Sequence, residues 1–135
     1  DLKKDFIDKG LVKIEFKSFP LDLASLNASK IAHCKNDGKP DILHFLYNNQ
    51  NTWMKGENLD EINLNLKEII KKEKLEIDFE KCVNDKKIED YILEERIESV
   101  KKFEINSTPT LIINNKKFSK PLTYKNIKKA IEKLI

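Results

Sequence analysis

Few side chains in this sequence are of types that do covalent chemistry, and their spacing limits what they can do. There are two cysteines, Cys34 and Cys82, and two histidines, His33 and His44. Neither cysteine belongs to a C-x-x-C, the spacing in which one thiolate attacks a disulfide and its neighbour resolves the mixed intermediate. No such motif occurs anywhere in the 135 residues. His33, Cys34, His44 and Cys82 match no usual zinc-ligand spacing, so no metal is expected. Both cysteines fall on the inward stripes of two helices. That spacing says only that each points inward and leaves open whether they meet; two separate buried thiols acting as small hydrophobes fit it as well. His33 reads as a surface helix residue and His44 as a partly exposed one.

The other notable stretch is Ser107-Thr108-Pro109-Thr110, which leads into Leu111-Ile112-Ile113. Proline lacks an N–H and restricts the residue before it, so Pro109 marks where the chain bends into a sheet. The apolar run behind it is too short for a helix and rich in β-branched residues, hence a strand. Asn114-Asn115 suits a two-residue hairpin turn, because Asn tolerates positive φ. Residues 116–118 return, forming a buried hairpin.

The elements that position these residues follow from periodicity and caps. Residues 1–9 have helical spacing and stop at Gly10, but nothing before Leu2 caps them. The expectation is therefore a helix whose front part lies upstream of Asp1. Val12, Ile14 and Phe16 alternate as one face of a strand that Pro20 ends. Asp22 caps a helix over residues 23–35 with Leu23, Leu26, Ile31 and Cys34 inward. Asp37-Gly38 breaks the chain, and Pro40 opens a helix carrying Ile42, Leu43, Phe45, Leu46 and Tyr47. Residues 48–53 continue loosely to Gly56, with Trp53 and Tyr47 read as packing residues. Asn58 and Glu61 have capping-box spacing before a helix that uses Ile62, Leu66, Ile69 and Ile70. Asp78 caps a short helix holding Phe79, Cys82 and Val83. Asp85 caps a long one to about residue 102, with Ile88, Ile92 and Phe103 on one face and Leu93, Ile97 and Val100 on another. Two apolar faces place it between layers. Thr123 caps a final helix whose stripe is Tyr124, Ile127, Ile131, Leu134 and Ile135.

Composition excludes several function classes. The chain is 39% hydrophobic and 36% charged, with a net charge of +3 and one arginine, Arg96. Bidentate reading of phosphates and guanine edges leans on Arg, so a specific nucleic-acid binder is not expected. No apolar run approaches the roughly eighteen residues that would span a bilayer, and no signal peptide is visible. The lysines around 116–129 read as a solvated face.

Three stretches, in this order, resemble one family. Residues 10–21, Gly-Leu-Val-Lys-Ile-Glu-Phe-Lys-Ser-Phe-Pro-Leu, resemble the strand after the active-site helix of DsbA-like thioredoxin domains. Leu46-Tyr47-Asn48-Asn49-Gln50-Asn51-Thr52-Trp53 is similar to a segment of their helical insertion. Ile105-Asn106-Ser107-Thr108-Pro109-Thr110 with the hairpin resembles their cis-proline loop. The resemblance covers nearly the whole chain and implies an α/β, thioredoxin-like fold with an inserted helical subdomain. It lacks the first strand and the start of the active-site helix. Residues 1–21 and 104–135 would form the thioredoxin-like portion, and residues 22–103 the insertion and return helix.

The activity that the resemblance implies is protein thiol–disulfide exchange with folding secreted proteins, in a bacterial periplasm. The catalytic C-x-x-C is expected upstream of residue 1, leaving this chain alone inactive. A membrane anchor, if present, would lie in a segment outside this chain. Ser107, Thr108 and Pro109 would form the substrate-binding loop, which pairs with extended chains by strand addition. Cys34 and Cys82 would form a structural disulfide of the helical subdomain. No cofactor is implied. Partners would be unfolded or extended proteins and a redox protein, with strand exchange between copies as one way to complete the fold. Lys120 departs from the family, which tends to carry Gly there. The alternative is a non-catalytic thioredoxin-like binding module for extended polypeptides.

Overall fold

Short polar side chains set the helix starts. In this computed structural model, which describes residues 1–35, 37 and 39–135, Asp22 accepts the Ser25 N–H at 2.7 Å and opens α1 (Leu23–Cys34). Asn58 accepts the Glu61 N–H at 3.0 Å and opens α4 (Leu59–Lys72). The Glu61 carboxylate reaches back one residue further than a capping box requires, to the N–H of Glu57 at 2.8 Å. Asp78 caps α5 (Phe79–Val83) through the Lys81 N–H at 3.1 Å. Asp85 takes the N–H groups of Lys87 and Ile88 at 2.9 and 3.1 Å before α6 (Lys86–Phe103). Each cap satisfies amides that the first helical turn leaves without partners. Pro40 sits one residue earlier than expected, at the cap position of α2 (Asp41–Asn48). The loose stretch that follows contains a short helix, α3 (Gln50–Trp53). Gly38, half of the expected chain break, lies outside the described residues.

The chain divides into two compact units, Ser18–Glu98 and Asp1–Lys17 with Ser99–Ile135. The first is all-helical. Its core gathers Ala28 and Ile31 of α1, Ile42 and Leu46 of α2, Trp53, Leu66 and Ile70 of α4, and Phe79 and Cys82 of α5. Ile31, Leu66 and Ile92 are fully buried, each worth about 1.5–3 kcal/mol of removed apolar surface. The Trp53 Nε1–H donates to the Leu46 carbonyl at 2.8 Å, so the indole fills the core without an unpaired polar atom. Gly56, at φ +152°, stands where a Cβ would lie 3.0 Å from the Cβ of Glu61. The expected inward stripe of α1 is corrected at Leu23, which is 63% exposed. Ala24, Ala28 and Lys30 take the buried positions instead. Tyr47, expected to pack, is exposed.

The second unit begins with a π-helical segment, Lys3–Ile7, rather than an α-helix. Gly10 ends it at φ +69°, with the Leu11 N–H donating back to the Phe6 carbonyl at 3.0 Å. Only the backbone conformation calls for glycine here, since an added Cβ would meet nothing. The hairpin is β1 (Ile112–Ile113) with β2 (Lys116–Lys117), paired Ile112 to Lys117 and Ile113 to Lys116. Asn114 and Asn115 both take positive φ, +46° and +64°, as a type I′ turn requires. Thr123 then caps α7 (Tyr124–Glu132).

Three expectations are corrected. Residues 12–16 form no strand: among the described residues the sheet has two strands, and Ile14 and Phe16 are exposed. Alternation specifies a face, but a strand also needs a neighbour to take its amides and carbonyls. The hairpin is half-buried on β1 and exposed on β2, not buried. Ile97 and Val100 of α6 and Leu134 and Ile135 beyond α7 are exposed, so α6 is not enclosed on both faces.

Replacing Trp53 by Ala should lower unfolding stability by about 3–5 kcal/mol, because it opens a cavity and removes the Leu46 partner. Chemical denaturation followed by far-UV circular dichroism measures this; a loss below about 1 kcal/mol would contradict the assigned core.

Candidate functional site

The loop at 105–110 is placed by the elements on either side. Just after α6, Glu104 turns the chain at a φ of +52°, and the Lys117 Nζ donates to the Glu104 carbonyl at 3.2 Å. That bond ties the return strand of the hairpin to the start of the loop. The Thr108–Pro109 peptide is cis. Thr110 Oγ1 donates to the Ser107 carbonyl at 2.7 Å, closing the bend from inside. Ser107, Thr108 and Pro109 are all exposed. Among the described residues Thr108 makes no hydrogen bond.

The cysteines lie in the helical unit. Cys34, at the end of α1, is bonded to Cys82 of α5 with S–S 2.03 Å and Cα–Cα 5.6 Å. Both cysteines of the sequence are used in this bond. Cys82 is 1% exposed and sits in the apolar core. Among the described residues no cluster of His, Cys, Asp or Glu is arranged to hold a metal.

Of two neighbours of this disulfide, the sequence reading missed Lys30 and misplaced His33. Lys30, one turn before Cys34 on the same face of α1, is 5% exposed. Its ammonium donates to the Val83 carbonyl at 3.0 Å, beside Cys82, and to the carboxylate of Glu89 on α6. Lys30 and then Lys86 hold the Glu89 carboxyl below its ordinary range. The signal was the i, i+4 spacing of Lys30 and Cys34, but a lysine on an inward stripe reads as a snorkelling side chain. His33, expected at the surface, is half-buried. Its Nε2 lies 3.1 Å from Ser18 Oγ, and its ring meets the Tyr91 ring edge-on at 5.6 Å. Burial pushes the imidazole below its ordinary pKa, against the opposing pull of Glu95. The Tyr91 hydroxyl in turn donates to Glu95 at 3.0 Å. Arg96 stacks over Phe19 at 5.1 Å. In the other unit, Tyr124 donates to Asp5 and holds that carboxyl below its ordinary range.

Set against known proteins, the chain belongs to the thioredoxin family, whose profile matches residues 1–133. Its fold is thioredoxin-like, mostly helical with a small two-stranded sheet, and of the DsbA type. It superposes on the crystal structure of alpha-DsbA1 from Wolbachia pipientis with a TM-score of 0.81 and 29% identity, over 98% of this chain and 73% of that one. A double cysteine-to-alanine variant of the same protein gives a TM-score of 0.81 at 28% identity, over 98% and 72%. A threonine-to-valine variant gives 0.77 at 28%, over 98% and 73%. No curated protein matches. Among the described residues no helix is long and apolar enough to cross a membrane.

The folded-state pKa of His33 is lowered, so folding favours its neutral form. Its contribution is complete above the unfolded value of about 6.5 and is lost as pH falls from there towards the folded value. Melting temperature should therefore drop between about pH 7.5 and pH 5.5, and His33→Gln should flatten that limb. An unchanged slope in the variant would assign the limb to other groups.

Proposed function

We propose that this chain is part of a protein thiol–disulfide oxidoreductase that exchanges disulfides with folding secreted proteins in a bacterial periplasm. The observation that supports it most directly is the exposed cis Thr108–Pro109 peptide at the head of a hairpin, within a DsbA-like fold. In this reading Ser107, Thr108 and Pro109 hold an extended substrate by strand addition. The dithiol is supplied from outside these 135 residues, since both cysteines here are in the Cys34–Cys82 bond. A substrate thiolate attacks the disulfide form of that pair, a mixed disulfide forms, and the second substrate thiol releases the pair as a dithiol. Two electrons pass from substrate to enzyme, and a redox partner protein reoxidises the dithiol. Cys34–Cys82 stays closed throughout as a structural bond.

The second reading is a non-catalytic module that binds extended polypeptides. It rests on the same exposed cis Thr108–Pro109 loop, which needs no thiol to pair with an extended chain.

The test compares the 135-residue chain with the product of its entire open reading frame in reoxidation of a reduced, disulfide-containing protein. The full product is expected to accelerate reoxidation, and a Cys→Ser change in its C-x-x-C should abolish that. The 135-residue chain should stay at the background rate. A reading frame that encodes no C-x-x-C, or one whose product is inactive, overturns the enzyme reading and leaves the binding module.

A further inference from the structure

Charge is unevenly divided between the two compact units. Asp1–Lys17 with Ser99–Ile135 holds 14 basic and 6 acidic side chains, a net of +8. Ser18–Glu98 holds 12 and 17, a net of −5. Every basic residue of the positive unit is lysine, because Arg96 lies in the other. The lysines are not evenly spread within it. α7 and the hairpin border a groove of about 420 Å³. Ala130 and Leu134, one turn apart, form one wall, Ile113 and Phe118 the other, and Lys116 and Lys117 stand on the hairpin rim.

Lys125 and Lys129 of α7 and Lys133 just after it repeat every four residues, all exposed. They make a second cationic row beside the Ala130–Leu134 wall. Among the described residues Lys116, Lys125, Lys129 and Lys133 have no carboxylate partner, unlike Lys128, which pairs with Glu132 at 3.8 Å. The charge of α7 is accordingly positive, with Glu132 its acidic side chain. Leu134, at 55% exposure, leaves an apolar contact open at the groove.

We propose that this lysine-rimmed groove docks acidic polypeptide segments, taking their apolar side chains between α7 and the hairpin while the lysine rows face their carboxylates. Lysine suits this better than phosphate recognition, because an ammonium is a point charge without the bidentate fork of arginine. A concave apolar groove also accepts side chains singly, whereas a bilayer interface is met by a protruding apolar face. The interaction needs no thiol and stands apart from the redox reading.

Fluorescence anisotropy on the 135-residue chain tests this with a short labelled peptide alternating Glu and Leu, against Lys–Leu and Ser–Leu controls. The Glu–Leu peptide should bind preferentially, and raising salt from about 0.02 M to about 0.2 M should weaken it. Combining Lys116→Gln, Lys129→Gln and Lys133→Gln should raise its Kd about tenfold or more. Leu134→Asp, at an exposed position, should do the same with every lysine intact. Far-UV circular dichroism confirms that each variant is folded. Equal affinity for the three peptides, or an unchanged Kd in both variants, overturns the proposal. Binding to phosphatidylglycerol vesicles without binding to the acidic peptide also overturns it, in favour of a membrane surface.

Discussion

The helical unit depends on how α1 is joined to α5. The two are linked by a covalent bond at Cys34–Cys82 and, one turn back along α1, by the Lys30 ammonium on the Val83 carbonyl. The disulfide closes a separation of 48 residues, which by loop-closure entropy alone is worth about 4 kcal/mol. The ammonium works differently. A buried charge is tolerated only where its donors are satisfied, and Lys30 finds both a carbonyl and the Glu89 carboxylate. Glu89 lies on α6, so this second link reaches a helix that the disulfide does not touch. The same few residues thereby fix α1, α5 and the start of α6.

The other unit is built on little buried apolar surface, with Phe6 and Ile131 as its buried hydrophobics. Its order comes from local devices instead. Gly10 and Asn114-Asn115 take left-handed backbone, Thr123 caps α7, and Lys117 anchors the hairpin to the end of α6. The cis-proline loop sits among these devices, held at both ends and uncovered in the middle. The same unit carries the excess of lysine in a chain whose net charge is small.

Much of the local structure was legible in the residues. The Asp and Asn caps, the Gly10 stop, the Asn-Asn turn and the Trp53 packing each follow from short-range chemistry that depends on few neighbours. Positions that depend on a distant partner were not legible. Leu23 and Ala24 are adjacent on α1, and only the packing against α4 and α5 decides which faces inward. Lys30 reads as exposed until Glu89 and Val83 are brought to it. His33 reads as exposed until Ser18 and Tyr91 meet its ring. The alternation of Val12, Ile14 and Phe16 describes a face that, among the described residues, has no ladder to join.

By itself the sequence determined where most helices are capped, where the chain must turn, and that no C-x-x-C lies within it. Those properties are local: they rest on backbone φ, on the reach of one short side chain, or on the spelling of the chain. Tertiary structure alone decided that Cys34 and Cys82 come within bonding distance, that Lys30 is buried with a partner, and that a groove opens between α7 and the hairpin. Each of these joins residues far apart in the chain. Periodicity reports which way a side chain points along its own element and nothing about what stands opposite.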